Sequence, residues 1–236
     1  MNTKYVVLWL EAPMQSWGVE SKFGRRDTLN FPTKSGVLGI LLCAMGATGE
    51  QKELLAEFAD LLQTVISFNS VEQQNDEVKK KEREALLMDF HMVGAGYNEK
   101  DPIEALHIPK TSSGDKAVGG GTKMTYRYYL QDAKFAAVLE VPESRVQLIE
   151  ESLTHPVFDV YLGRKCCVPA DFIFRGIYDD EKDAFTEATR IAHAKGLREE
   201  FRVIDGDEMT LNDVPVQFGI QKLYRERRVQ VIYSDE

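Results

Sequence analysis

The 236-residue chain has little of what marks the common chemistries. Its three cysteines are Cys43, Cys166 and Cys167. The number is odd and the last two are neighbours, so they cannot all pair within the chain. The adjacent pair also lacks the CxxC gap that lets two sulfurs reach one zinc. A disulfide framework is excluded, and a reducing, cytoplasmic setting fits. The four histidines, His91, His107, His155 and His193, show neither HxH nor HxxxH spacing, so no metal site is read. No GxSxG marks a nucleophilic serine. The glycine runs at 94–96 and 119–121 lack the surroundings of a dinucleotide fingerprint and read as flexible backbone. No apolar run is long enough to cross a bilayer. The first, at 5–10, stops at Glu11 without a small-residue cleavage site and reads as a buried strand, not a signal peptide.

A basic excess is also missing. The net charge is −9, which argues against a free-standing, non-specific nucleic-acid binder. It leaves room for a subunit with one basic face, because the positive residues are grouped. Lys22, Arg25, Arg26 and Lys34 lie together, as do Lys110, Lys116, Lys123 and Arg127, and "KLYRERR" spans 222–228. Each cluster alone is equally an ordinary solvated surface.

Hydrophobic residues make up 43% of the chain, enough for a substantial core. "KYVVLWLEA" predicts a strand buried on both faces, ended by Pro13. A long polar loop follows. "SGVLGILLCAM" predicts a buried helix capped by Thr33 or Ser35, in which Gly36 and Gly39 would let another backbone come close. "EQKELLAEFADLLQ" predicts a second, amphipathic helix. "TVISFNS", "ALLMDFHMVGAG", "MTYRYYLQ" and "KFAAVLEVP" predict strands, with a polar loop or ribbon tip at 72–84. The long Gly/Ser/Lys-rich excursion at 98–123 suggests a protruding β-hairpin arm. "ESRVQLIEESL" predicts a helix. This order fits an α+β, ferredoxin-like domain over 1–155 with an insertion at about 94–126. Residues 156–236 read as a small C-terminal β-rich part with short strands and one helix, "DAFTEATRIAHAK".

"FPTKSG" at 31–36 resembles a phosphate loop entering a helix. A Walker loop would need glycines at 28 and 33, and both positions are threonine. The backbone cradle is therefore absent, which argues against nucleotide triphosphate binding. A helix start still favours an anion, so Lys34 and Ser35 read either as a site for a polymer phosphate or as a plain cap. The remaining signal is interleaved basic and aromatic residues: Gln15, Ser16 and Trp17; Arg25 and Arg26; Tyr126 to Tyr129; Tyr161 with Arg164 and Lys165. Single-stranded RNA is bound by such mixtures, with cations on phosphates and rings on bases. For Trp17 and the tyrosines, packing in the core is the equally simple reading.

Four segments, "APMQSWG", "FPTKSGVLGILLCAMG", "MDFHMVGAG" and "YLGRKCCVP", together resemble the Cas-five family of the RAMP superfamily, in the form found in type I-E CRISPR Cascade complexes. The resemblance implies a ferredoxin-like, RRM-like domain, a β-hairpin thumb and a small C-terminal part. It implies a non-catalytic subunit that caps the 5′ handle of the crRNA and works in a ribonucleoprotein. Its partners would be the Cascade backbone subunits, the large subunit and, indirectly, target DNA. No membrane, cofactor or metal is implied. Carried onto this sequence, the handle would meet Gln15, Ser16, Trp17, Arg25, Arg26, Lys34 and Ser35. Lys110, Lys123 and Arg127 would face RNA from the thumb, and Tyr161, Gly163, Arg164 and Lys165 would close the site. Type I-C relatives cut precursor crRNA and carry a tyrosine in the segment resembling "PTKSG". None lies between Phe31 and Ile40. The enzymatic alternative is metal-independent endoribonuclease chemistry by His107 and Lys110. A purely structural subunit is the third reading.

Overall fold

A computed structural model describes residues 2–18, 24–74, 77–93, 100–107, 110–116 and 123–234. Strand β1 (Thr3–Glu11) holds Val6 to Leu10 without exposure, as expected of a strand covered on both faces. Four two-residue strands follow: β2 (Met14–Gln15), β3 (Trp17–Gly18), β4 (Arg25–Arg26) and β5 (Thr28–Leu29). Helix α1 (Lys34–Ala44) starts at Thr33, whose hydroxyl accepts from the Gly36 N–H at 3.1 Å. It stops at Gly46, where φ is +69°. Helix α2 (Lys52–Phe58) is shorter than its sequence pattern.

Strand β6 (Gln63–Gln74) runs into a ribbon with β7 (Glu77–Lys80), so the polar 72–84 stretch is partly paired. Strand β8 (Leu87–Val93) pairs antiparallel with β9 (Lys123–Gln131), as the hairpin reading predicts. Between them lies a short helix, α3 (Pro102–His107). The rest of the expected thumb at 94–99, 108–109 and 117–122 falls outside the described residues. Strand β10 (Lys134–Pro142) leads through one 3-10 turn into α4 (Val146–Thr154), and β11 (Phe174–Tyr178) follows a long loop. Helix α5 (Glu181–Ala194) then precedes β12 (Leu197–Gln217) and β13 (Leu223–Tyr233).

The central sheet has the order β11-β1-β10-β6-β12-β13, antiparallel throughout. Its first four members, with α1 and α2 after β1 and α4 after β10, form the βαββαβ arrangement of a ferredoxin-like unit. The division expected at residue 155 therefore cuts through the sheet. β11 is the fourth strand of that unit, and β12 extends the same sheet by pairing with β6. Of the short strands expected in the C-terminal part, "FRGIY" is the five-residue β11, while the others lie within two long strands, β12 and β13. Between Asp205 and Met209, which both face Val229, residues 206–208 bulge out of the ladder instead of ending the strand.

Both sheet faces are covered. On one, α1, α2 and α4 pack over Val6, Leu8, Leu10, Val65, Phe135 and Leu139. On the other, α5 lays Ala184, Ala188 and Ala192 over Val7, Trp9, Ile66 and Phe68. Small residues at this helical spacing let the helix sit close to the Trp9–Phe68 ring pair, whose centroids are 5.5 Å apart. An RRM uses an open sheet face for RNA. That face is closed here, so any site must lie elsewhere.

Candidate nucleic-acid interface

Three of the sequence motifs meet at one place. Leu162 accepts from the Ser16 N–H through its carbonyl at 3.1 Å, joining the "QSWG" segment to the "YLGR" loop. Gly163 has φ +102°, and a Cβ there would lie 1.8 Å from the Ser16 carbonyl oxygen, so only glycine fits. The first turn of α1 packs on the Trp17 indole, where a Cβ on Gly36 would come within 2.8 Å of the ring. Gly36 thus admits a side chain, not the backbone expected from sequence. Gly39 has nothing within 4 Å of a Cβ and leaves open space on the helix.

An open cleft of about 1110 Å³ lies beside this junction. Ser16, Arg26, Ser35, Tyr161 and Arg164 line it from the motif side, and Asn212, Lys222 and Tyr224 from the β12–β13 hairpin. The hairpin wall had one signal in the sequence, the basic "KLYRERR" cluster, but nothing there tied it to the other motifs.

Three expected RNA-facing side chains point inward. Gln15 is fully buried, donates to the Leu10 and Ala133 carbonyls at 3.1 and 2.6 Å, and accepts from the Trp17 indole N–H at 3.1 Å. Trp17 is fully buried with it, so the packing alternative holds for this ring. Lys34 is 3% exposed, and its ammonium donates to the Ala59 and Leu61 carbonyls at 3.0 and 2.5 Å. Burial, and then repulsion from Arg227, lowers its pKa to about 8. The helix start is also partly filled. The Lys34 backbone N–H donates to Asp213 Oδ2 at 2.7 Å, placing the protein's own carboxylate at the positive end of α1. Lys34 is therefore a core residue and not a phosphate ligand, because its charge is directed to carbonyls below the helix.

The remaining expected residues sort by exposure. Arg26 is exposed and lines the cleft, and Ser35 is half-buried at its edge. Ser16 is buried, contributing the backbone contact to Leu162. Arg164 ties the glycine loop down: it donates to the Tyr128 carbonyl at 3.2 Å and the Arg26 carbonyl at 2.8 Å, and its guanidinium stacks 4.6 Å from the Tyr129 ring centre. Arg25 pairs with Asp27 at 2.8 Å and covers the Tyr128 ring at 4.7 Å. Lys165 is exposed beside the cleft. Arg127 lies on β9 and Lys110 on an exposed turn bridged to Lys116, and neither lines the cleft. The side chains of Lys123 and His107 lie outside the described residues.

The β8–β9 ribbon adds a second surface. Register places Met88 opposite Tyr128, Phe90 opposite Tyr126 and Met92 opposite Met124. The Phe90 and Tyr126 rings pack at 5.2 Å, yet both remain substantially exposed, as do the three methionines. Burial raises the Cys167 thiol to about 11, so it is an inert part of the loop core. Among the described residues, no three His, Cys, Asp or Glu side chains gather where they could hold a metal.

A ferredoxin-like sheet closed on both faces, an exposed apolar ribbon and a cleft with cations at its walls define an α+β protein with one polar, partly basic site. A family model described as CRISPR-associated protein (Cas_Cas5) matches residues 5–231, and the chain belongs to that family. It is 27% identical over 175 residues to the CRISPR system Cascade subunit CasD of Escherichia coli K12, covering 73% of this chain and 70% of that protein. It resembles a chain of a CRISPR RNA-guided surveillance complex with a TM-score of 0.69 and 26% identity, over 98% of this chain and 90% of the other. A crystal structure of a Cas protein shares the fold, with a TM-score of 0.56 and 21% identity over 97% of this chain and 94% of the other.

Proposed function

We propose that this protein is a non-catalytic subunit of a Cascade-type, type I-E CRISPR surveillance complex. It binds and caps the 5′ handle of the crRNA in the cleft and helps assemble the complex for target recognition. The observation that carries this reading is the convergence of "QSWG", the α1 start and "YLGR" on one cleft with Arg26 and Lys222 at its walls. Arg26 and Lys222 take phosphates, Ser35 and Asn212 offer hydrogen bonds, and Tyr161 and Tyr224 present rings to bases. The exposed Phe90, Tyr126 and methionines make the ribbon the thumb, which docks beside RNA and the backbone subunit. Arg25, Lys165, Lys110, Lys123 and Arg127 serve as flanking cations. The CasD relative, named for its place in Cascade, supports the same assignment. An acidic chain suits this role, because only one face meets RNA and the others meet protein.

Co-expression with genomic neighbours and a repeat-spacer RNA, followed by purification through this chain, tests the proposal. RNA with a uniform, repeat-derived 5′ handle is expected to co-purify, and Arg26→Glu with Lys222→Glu to abolish it. An ultraviolet spectrum of protein alone would overturn the reading. Incubation of the purified protein with repeat RNA is expected to leave it intact. Cleavage lost on His107→Ala or Lys110→Ala would establish the endoribonuclease instead.

A further inference from the structure

We infer that Asp213 and Arg227 are positioning residues that clamp the C-terminal hairpin to the first turn of α1 and thereby fix the width of the cleft. The inference rests on the proposed RNA role of that cleft. Asp213 is 4% exposed, and both of its oxygens are engaged. Oδ2 accepts from the Lys34 backbone N–H at 2.7 Å and from Arg227 at 3.0 Å, while Oδ1 accepts from Arg227 Nε at 2.8 Å. The third guanidinium nitrogen of Arg227 lies 3.6 Å from Asp205.

The register shows why Asp213 can reach the helix. Leu211 faces Arg227 and Val214 faces Arg225, so Asn212 and Asp213 together oppose Glu226. This is a β-bulge, which turns a strand's side chains off their regular alternation. Asp213 is thereby buried against α1, while its neighbour Asn212 stays exposed on the cleft wall. From the far side, the Lys34 ammonium grips the Ala59 and Leu61 carbonyls. The first turn of α1 is thus held by the hairpin and by the segment after α2. A charge-assisted hydrogen bond to a helix N-terminus is strong and directional, so this clamp places Asn212, Lys222 and Tyr224 opposite Arg26 and Ser35.

The test is fluorescence anisotropy of a labelled 5′-handle RNA on the full chain over a salt series, with melting curves to check folding. Asp213→Ala is expected to weaken binding at least about tenfold, because it removes the acceptor of the Lys34 N–H and of both Arg227 hydrogen bonds. The slope of affinity against salt should stay that of the wild type, because no phosphate contact is removed. Asp213→Asn keeps an oxygen acceptor for the Lys34 N–H and should recover most of the affinity. It is also the variant to use if Asp213→Ala fails to fold, with a smaller loss at unchanged slope then expected. Lys222→Gln should lower the slope by about one. Folded Asp213 variants that bind with unchanged or tighter affinity would overturn the inference while leaving the RNA reading intact. Wild-type protein that binds no handle RNA would overturn the RNA reading, and the inference with it.

Discussion

β9 and β10 are consecutive strands joined by a tight turn at Asp132 and Ala133, yet their surroundings diverge. In β10, Phe135 to Leu139 are covered on both faces. In β9, the buried Tyr129 and Leu130 give way to Met124 and Tyr126, whose exposures are 54% and 42%. Both strands are apolar and rich in good strand formers. The difference is what lies above and below: three helices and α5 sandwich β10, while the outer half of β9 pairs with β8 and β4 and presents one face to solvent. An apolar strand in the sheet contributes to folding. An apolar strand in the ribbon is a surface held ready for something else.

That comparison can be broken or sharpened. Phe135→Ala should cost about 3–5 kcal/mol, read as a lower midpoint in urea unfolding, because it opens a cavity under both helices and sheet. Gly163→Ala should cost at least about 1–3 kcal/mol from its positive φ alone. The clash with Ser16 adds to that, and handle affinity should fall with stability, because the loop is pinned to the cleft.

Lys34 gives a pH signature of the closed region. Its pKa falls from 10.5 to about 8 on folding, so between those values the unfolded chain holds the proton more tightly. Stability should therefore rise with pH through that window, by on the order of 3 kcal/mol, and Lys34→Met should flatten the rise. The smallest effect belongs to the ribbon. Phe90→Ala should change stability by about 1 kcal/mol or less, the worth of an exposed ring pair, while markedly reducing co-purification of RNA and partner subunits. A large stability loss there would show that the ribbon is core, and would remove the contrast with β10.

Much of the fold was legible in the chain. The runs "KYVVLWLEA" and "KFAAVLEVP" have the length and composition of buried strands, and β1 and β10 appear there. The Thr33 cap and Gly46 stop bound α1 as local chemistry requires. The hidden part was long-range. Nothing local marks "FRGIY" as the fourth ferredoxin-like strand, because it is separated from its partner β1 by most of the chain. The 206–208 run looks like a strand end and is a bulge, since Asp205 and Met209 on either side of it pair with β13 and carry the ladder past it. The site was legible as motifs but not as roles. Gln15, Trp17 and Lys34 are chemically able to meet RNA, and only burial reveals that they hold the cleft from behind.

By itself, the sequence determined the local elements, the cap at the start of α1 and the motifs that point to the family, because propensity and capping act within a few residues. The tertiary structure decided which cations face solvent, which sheet face is closed, and that Asp213 fills the α1 terminus. Those outcomes depend on contacts between segments as many as 179 residues apart, and a side chain's charge is useful to a ligand only where the fold leaves it in water.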